Sequence, residues 1–183
     1  MNEGNSGVTH QAVAFALAAF RISVASVMLA HGLNHIFGGG KIAGTAGWFE
    51  SLGMRPGRLH AWLASLTEVG SGVLLALGLL TPIAGAGVVG VMLVAWIANH
   101  RGHGFFIFRP GEGWEYVMIL TVAGLALATV GPGTWSLDRV LGLERLWGAT
   151  GLWISVGAGG GGAMSLLGLF WRPVRVPEKG AAT

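Results

Sequence analysis

The stretch AVAFALAAFRISVASVMLAHGLNHIF, from Ala12 to Phe37, decides the fold of this chain. It is an apolar run with Arg21 in its middle and two histidines, His31 and His35, at its far end. An α-helix rises about 1.5 Å per residue, so roughly 20 residues cross a hydrocarbon core about 30 Å thick. Because an arginine that faces lipid is costly, Arg21 must face protein or water. The run therefore predicts a bilayer-spanning helix that is surrounded by other helices.

The composition agrees with a membrane protein. Of the 183 residues, 52% are apolar and only 10% are charged, whereas about a quarter of the residues of a soluble domain are charged. The chain has no cysteine, which excludes thiol chemistry and iron–sulfur clusters for this chain acting alone. A net charge of +3 with few acidic residues indicates anionic lipid headgroups as partners rather than nucleic acid.

Further apolar runs follow the first one, and each is long enough to be a candidate span. They lie at about 59–80, 82–99, 114–130 and 151–171. The segments 38–58 and 134–149 alternate charged and apolar residues, which is typical of helices at the membrane surface. A short re-entrant helix is the alternative for 38–58. The last run contains glycines 159–162, and because glycine weakens helices, a dipping hairpin is the alternative to a fifth span.

The predicted fold is all-α, a transmembrane four-helix bundle with short interfacial helices and a fifth C-terminal transmembrane segment. Residues 1–142 form the bundle domain in this scheme. Residues 143–183 form an interfacial linker, the extra segment and a basic tail.

Basic residues predict how this topology is oriented. With five spans, eight lysines and arginines share one side and only Arg139 and Arg145 lie on the other. The eight are Lys41, Arg55, Arg58, Arg101, Arg109, Arg172, Arg175 and Lys179. By the positive-inside rule these eight face the cytoplasm and the N-terminus lies outside. We expect a multi-pass protein of a bacterial inner membrane.

Imidazoles gather at the predicted cytoplasmic end, where several spans begin or end. The candidate ligand-binding residues there are His31, His35, His60, His100 and Glu115. His31 and His35, four residues apart, share a helix face and could hold a metal, or one of them could be an axial haem ligand. The alternative is that interfacial histidines cap helix ends and face headgroups. Neither a metal nor haem is the expected ligand.

Two charged residues fall deep within predicted spans. Arg21 and Glu68 would lie on antiparallel neighbouring helices, and pairing would spare each an unpaired charge in a medium of low dielectric constant. Such a pair either fixes the helix register or takes part in proton transfer or ligand binding.

The sequence GAGVVG, residues 85–90, matches the dinucleotide-binding fingerprint letter for letter. It follows Thr81-Pro82 within an apolar helix instead of following a strand, so the fingerprint lacks its structural context. We interpret these small residues as a surface for close helix packing.

Several of these motifs together resemble the DoxX family of small bacterial membrane proteins. They are Arg21, His31-Gly32-Leu33, the WFESLG segment at 48–53, EVGSG at 68–72 leading to GLLTP at 78–82, and GPG at 131–133. The resemblance covers about residues 14–142 and implies a four-helix membrane bundle. It also implies that Arg21 and Glu68 are a buried charged pair. Relatives include the membrane subunit of a thiosulfate:quinone oxidoreductase and proteins linked to oxidative-stress complexes.

The resulting hypothesis is a membrane subunit associated with quinone-linked redox or oxidative-stress complexes. It would bind a quinone or a similar small ligand at the cytoplasmic end of the bundle, with other membrane or redox proteins as partners. The alternative is a non-catalytic scaffold or accessory subunit that docks other proteins through glycine-lined faces. No residue set identifies a catalytic centre, and whether the chain is an enzyme stays open.

Overall fold

A computed structural model describes residues 3–173, with side chains described from Val8 onward. The predicted basic tail beyond Pro173 lies outside the described residues. The described chain contains eight α-helices and no strands. They are α1 (Glu3–Phe37), α2 (Lys41–Ser51), α3 (Gly57–Leu77), α4 (Thr81–Ala95), α5 (Glu115–Val130), α6 (Leu137–Val140), α7 (Ala149–Ile154) and α8 (Gly161–Phe170). A π-helical turn, Trp96–His100, continues α4, and another, Ser155–Gly160, joins α7 to α8.

Four helical segments are long and apolar enough to cross a membrane. They are Val8–Phe37, Gly57–Leu77, Thr81–His100 and Ala149–Phe170, while the apolar helix α5 is shorter. The all-α membrane bundle predicted from the sequence is confirmed, and so is the short helix predicted after the first span.

The last of these segments, Ala149–Phe170, is called the C-terminal segment below. It runs as one continuous helical rod, so the dipping hairpin is not formed. The glycine run packs on α4 at its first residue: at Gly159 a Cβ atom would press on the Ala86 backbone and lie 3.1 Å from Val89 Cβ. The glycines provide close packing instead of a reversal of the chain.

The helices α1 and α3 are antiparallel and pack closely at glycine. A Cβ atom on Gly32 of α1 would lie 2.8 Å from Val69 Cγ2 and 3.0 Å from Glu68 Cβ. Near the other end of the contact, a Cβ atom on Gly72 of α3 would lie 3.0 Å from the Ala25 carbonyl oxygen. These close approaches fix the register of the two helices, with Glu68 beside Gly32.

Small residues also let α4 pack closely against α5. This agrees with the interpretation of the GAGVVG motif, residues 85–90, as a helix-packing surface. A Cβ atom on Gly85 would lie 2.6 Å from the Gly124 carbonyl oxygen and 2.9 Å from Ala128 Cβ. The bundle core beside this contact is apolar and fully buried, with Met28, Leu75, Val88 and Leu127 at its centre. Residues 85–90 therefore serve helix packing.

The turn between α3 and α4 receives the buried Arg21. Its Nη1 donates hydrogen bonds to the carbonyl oxygens of Leu75 (2.8 Å) and Ala76 (2.5 Å), and its Nη2 donates to the Trp135 carbonyl oxygen. Leu75 and Ala76 belong to the last turn of α3, where carbonyls have no helical partner and a cation is favoured. Arg21 therefore caps the end of α3.

Asp138 stabilises the same turn from the other direction. Its carboxylate accepts hydrogen bonds from the backbone N–H groups of Leu80 (2.6 Å) and Thr81 (3.0 Å), which begin α4. The side chain is fully buried. The predicted interfacial helix over 134–149 is thus wrong: the segment has one α-helical turn at Leu137–Val140 and a short 3₁₀ turn, because Asp138 is anchored inward.

The predicted ion pair between Arg21 and Glu68 is also wrong. Both side chains are buried, but the register of α1 and α3 places Glu68 opposite Gly32, eleven residues or about 16 Å along α1 from Arg21. Arg21 is satisfied by backbone carbonyls instead, and Glu68 contacts His35.

Candidate ligand site

A cavity of about 840 Å³ opens at the end of the bundle opposite Arg21. Four of the predicted residues line it, namely His31, His35, His60 and His100. The site thus collects the last turns of α1, the first turn of α3 and the π-helical end of α4. The sequence prediction that these histidines meet at one end of the bundle agrees with this geometry.

The shape of α4 explains how His100 reaches the cavity. The π-helical turn Trp96–His100 widens the end of this helix, a distortion that often occurs at functional sites. The Nδ1 atom of His100 lies 2.7 Å from the carbonyl oxygen of Glu112, which ties the loop 101–113 to the rim. The neighbouring Trp96 and Trp114 rings stack with centroids 5.2 Å apart and hold the start of α5 beside the π turn.

His35 and Glu68 face each other across the contact of α1 and α3. His35 Nδ1 lies 3.1 Å from Glu68 Oε2, and the Glu68 side chain is 5% exposed. The two atoms are poorly aligned for a hydrogen bond, so each keeps unused hydrogen-bonding capacity. The pair is ionic when His35 is protonated, and it lines the cavity wall.

His60 is the most deeply buried of the four histidines that line the cavity. Its side chain is 2% exposed, and its ring packs against Phe49 and Phe170, with centroids 6.2 Å and 5.3 Å away. Neither ring nitrogen has a hydrogen-bond partner. Buried polar groups are normally paired, and an unpaired one costs about 1–3 kcal/mol of folding free energy. The His60 ring therefore has hydrogen-bonding capacity that a ligand could use.

Glu115 does not join the cavity, so its placement in the ligand set is not supported by the geometry. Its Oε1 accepts a hydrogen bond of 2.9 Å from the Ile107 backbone N–H, which folds the loop onto the start of α5. Its neighbours Glu112 and Tyr116 line the cavity instead. The His31 and Tyr116 rings are 6.1 Å apart. Sequence reasoning chose the wrong residue because the phase of α5, and hence which face turns inward, depends on packing.

The comparisons with known proteins give a family for this region. The family model described as DoxX matches residues 16–101. This region is a DoxX domain. The search of curated proteins found no match, and neither did the search of solved structures.

The DoxX match contains most of α1 and all of α2 to α4, and therefore Arg21, Glu68 and the four cavity histidines. The resemblance noted from the sequence is confirmed over this range. Asp138, Glu112 and the C-terminal segment lie beyond the matched residues. Part of the cavity wall is thus built from residues outside the DoxX domain.

Metal binding can be judged from the donor atoms. Among residues 8–173, no group of three histidine, aspartate or glutamate side chains is placed to hold a metal ion. Although His31 and His35 lie one helical turn apart, His31 is next to Tyr116 and His35 is next to Glu68.

Proposed function

We propose that this integral membrane protein binds a quinone, or a small ligand with a similar polar ring, in the histidine cavity. The observation that carries the proposal is the buried His60, a cavity-lining residue whose two ring nitrogens have no hydrogen-bond partner among the described residues. A partner protein would supply the electrons, so that the chain acts as a membrane subunit of a quinone-linked redox or oxidative-stress complex.

The chemistry of the cavity suits a quinone. Ligand sites are mostly apolar with a few polar groups that fix orientation, and here Phe49, Trp48 and Tyr116 surround the histidines. A quinone presents two carbonyl oxygens on a flat ring. The N–H of a neutral imidazole can donate to one of these oxygens, and the buried site strengthens such a bond.

The His35–Glu68 pair adds a route for protons. Reduction of a quinone to a quinol takes two electrons, which the partner's redox centre would donate, and two protons. His35 and Glu68 can each carry a proton, and both line the cavity. Intramembrane carboxylates and histidines commonly form proton relays.

Binding to the full chain in lipid nanodiscs tests the proposal. A benzoquinone with a short side chain is titrated into the wild type, Glu68→Gln and Glu115→Gln, with the quenching of tryptophan fluorescence as the signal. We expect Glu68→Gln to weaken binding about tenfold, since it removes the carboxylate that faces His35, and a hydrogen bond donated by a charged imidazole to a quinone oxygen contributes about 1.5–3 kcal/mol. The matched control Glu115→Gln, outside the cavity, should bind like the wild type. Absence of saturable binding to the wild type would rule out the quinone site.

The location of the cavity is part of the same proposal. We propose that the protein lies in a bacterial inner membrane, and the positive-inside rule supports an orientation in which the histidine end faces the cytoplasm. A reporter fused to the N-terminus should therefore be active outside the cytoplasm. A cytoplasmic N-terminus would reverse the orientation without affecting the cavity.

A scaffold role is the second candidate. Its support is the outer face of α1, where Val13, Phe15 and Ile22 are about half exposed or more and where a partner helix could pack. A co-purified complex that keeps its full activity with both His60→Leu and Glu68→Gln would favour the scaffold over the quinone site.

A further inference from the structure

The histidine cavity continues beyond its polar end as an apolar groove. Leu66 and Gly70 of α3 form one wall, and Gly162 and Leu166 of the C-terminal segment form the other. The floor is α4, which packs against both walls, while α3 and the C-terminal segment touch at His60 and Phe170 and otherwise make few direct contacts. The groove is therefore a feature of the helix arrangement and needs no opening step.

The length and exposure of the groove suit a lipid-like chain. His60 and Leu74 line its two ends. These residues are fourteen positions apart along α3, which is about 21 Å at helical rise. Leu66 is 61% exposed and Ile83 is 52% exposed, and both lie on candidate membrane spans. The groove thus faces the hydrocarbon of the bilayer along its side.

Two glycines keep this groove open. At Gly70 and at Gly162, no atom lies within 4 Å of the place where a Cβ atom would stand. These residues differ from Gly159, which is closely covered by the Ala86 backbone. Since both open glycines line the groove, they leave room that no side chain of residues 8–173 fills.

We propose that the groove holds the apolar tail of the same ligand whose polar ring binds among the histidines. The inference rests on the proposed function and makes the substrate an amphiphile with one long apolar tail, which reaches the site sideways from the bilayer. The single cavity joins the unpaired nitrogens of His60 at one end to the lipid-exposed Ile83 at the other. An ordinary bilayer lipid would fill the groove but leave those nitrogens unpaired.

Photo-crosslinking of the full chain in nanodiscs tests this inference. The probe is a benzoquinone with a ten-carbon tail that carries a photoreactive diazirine at its far end. We expect adducts at the deep end of the groove, near Leu74 and Ile83, and their loss when excess short-tailed quinone competes for the polar end. Gly162→Leu should reduce the adducts at least about tenfold, because leucine occupies space that the tail needs in a closely packed site.

A neighbouring glycine supplies the matched control. Gly161 also has no atom within 4 Å of a Cβ position, but it lies outside the groove lining, so Gly161→Leu should leave the adduct yield within about twofold of the wild type. Gly70→Leu fills the opposite wall and should reproduce the Gly162→Leu result independently.

The outcomes separate this inference from the proposed function. Suppose that adducts map to α1 or to the loop 101–113 and are still displaced by short-tailed quinone. This result would contradict the tail-binding groove but would agree with the quinone site. A phospholipid with the same photoreactive tail serves as the comparison. If it gives the same adducts and short-tailed quinone does not displace them, the groove holds bilayer lipid and the inference is overturned. A wild type that binds neither the probe nor the short-tailed quinone would remove both proposals.

Discussion

The two ends of the bundle differ in what their buried charged and imidazole groups bind. At the turn between α3 and α4, Arg21 and Asp138 form hydrogen bonds with backbone groups, although Arg21 Nε and Thr81 Oγ1 have no partner among the described residues. At the other end, both ring nitrogens of His60 and the Oε2 atom of Glu68 have no hydrogen-bond partner within the described part of the chain. Since folded proteins pair almost all buried polar groups, the two charged groups of the first end stabilise the turn, while the second end keeps binding capacity for a ligand.

The comparison predicts that the two ends can be altered independently. Arg21 and His35 are fourteen residues apart on α1, about 21 Å at helical rise. Substitutions separated by more than about 10 Å without shared partners usually have additive effects. Changes at the turn should therefore alter stability and leave the binding of a short-tailed quinone unchanged, while changes at the histidine end should alter its binding.

The largest expected effect is that of Arg21→Met. It removes the cap from the end of α3 and leaves buried carbonyls unpaired near Asp138, so we expect a loss of about 3–5 kcal/mol in the free energy of unfolding. Unfolding in a detergent titration measures this loss. Arg139→Met is the control, since the exposed pair of Arg139 and Glu144 should contribute less than about 1 kcal/mol. Equal stability of the two variants would contradict the capping role of Arg21.

A smaller loss is expected for Asp138→Asn. The amide keeps one oxygen acceptor but cannot accept from both N–H groups at the start of α4, which costs about 1–2 kcal/mol in the free energy of unfolding. Thermal unfolding in the same nanodiscs measures it. Quinone affinity should stay at the wild-type value. An Asp138→Asn protein with wild-type stability and weakened quinone binding would contradict the independence of the two ends.

The smallest change in stability, and one of opposite sign, is expected for His60→Leu. Removal of a buried ring with two unpaired nitrogens should raise the free energy of unfolding of the ligand-free protein by up to about 1 kcal/mol. The same substitution should weaken quinone binding at least about tenfold, because the ligand loses its hydrogen-bonding partner. His103→Leu is the control, as His103 is exposed and outside the cavity. A less stable His60→Leu protein would show that the ring nitrogens are satisfied in the membrane.

Hydropathy predicted the spans well because burial in lipid requires long, continuous apolar segments. The run from Ala12 to Phe37 lies within α1, and the run at 59–80 overlaps α3 (Gly57–Leu77). Even the C-terminal segment with its glycine run was recognised as a candidate span. Once these spans alternate in direction, the ends that carry His31, His60 and His100 must lie on the same side, so the histidine cluster followed from topology.

The partners of individual charges did not follow from topology. The pairing of Arg21 with Glu68 came from estimated depth, yet glycine contacts at Gly32 and Gly72 set a register that separates the two residues. The capping role of Asp138 was missed because backbone N–H groups distant in sequence leave no pattern in the amino acids around them. Glu115 was placed in the ligand set for a similar reason, since the loop fold and the rotation of α5 decide that Glu112 and Tyr116 line the cavity instead.

The sequence by itself determined that this chain is an all-α membrane protein and that its histidines gather at one end. Those properties depend on composition and span length, which are local. Only the tertiary structure decided that Arg21 is satisfied by carbonyls, that His60 is not satisfied at all, and that a groove continues from the cavity. Helix register and rotation arise from many small packing contacts between distant residues, and no single stretch of sequence records their sum.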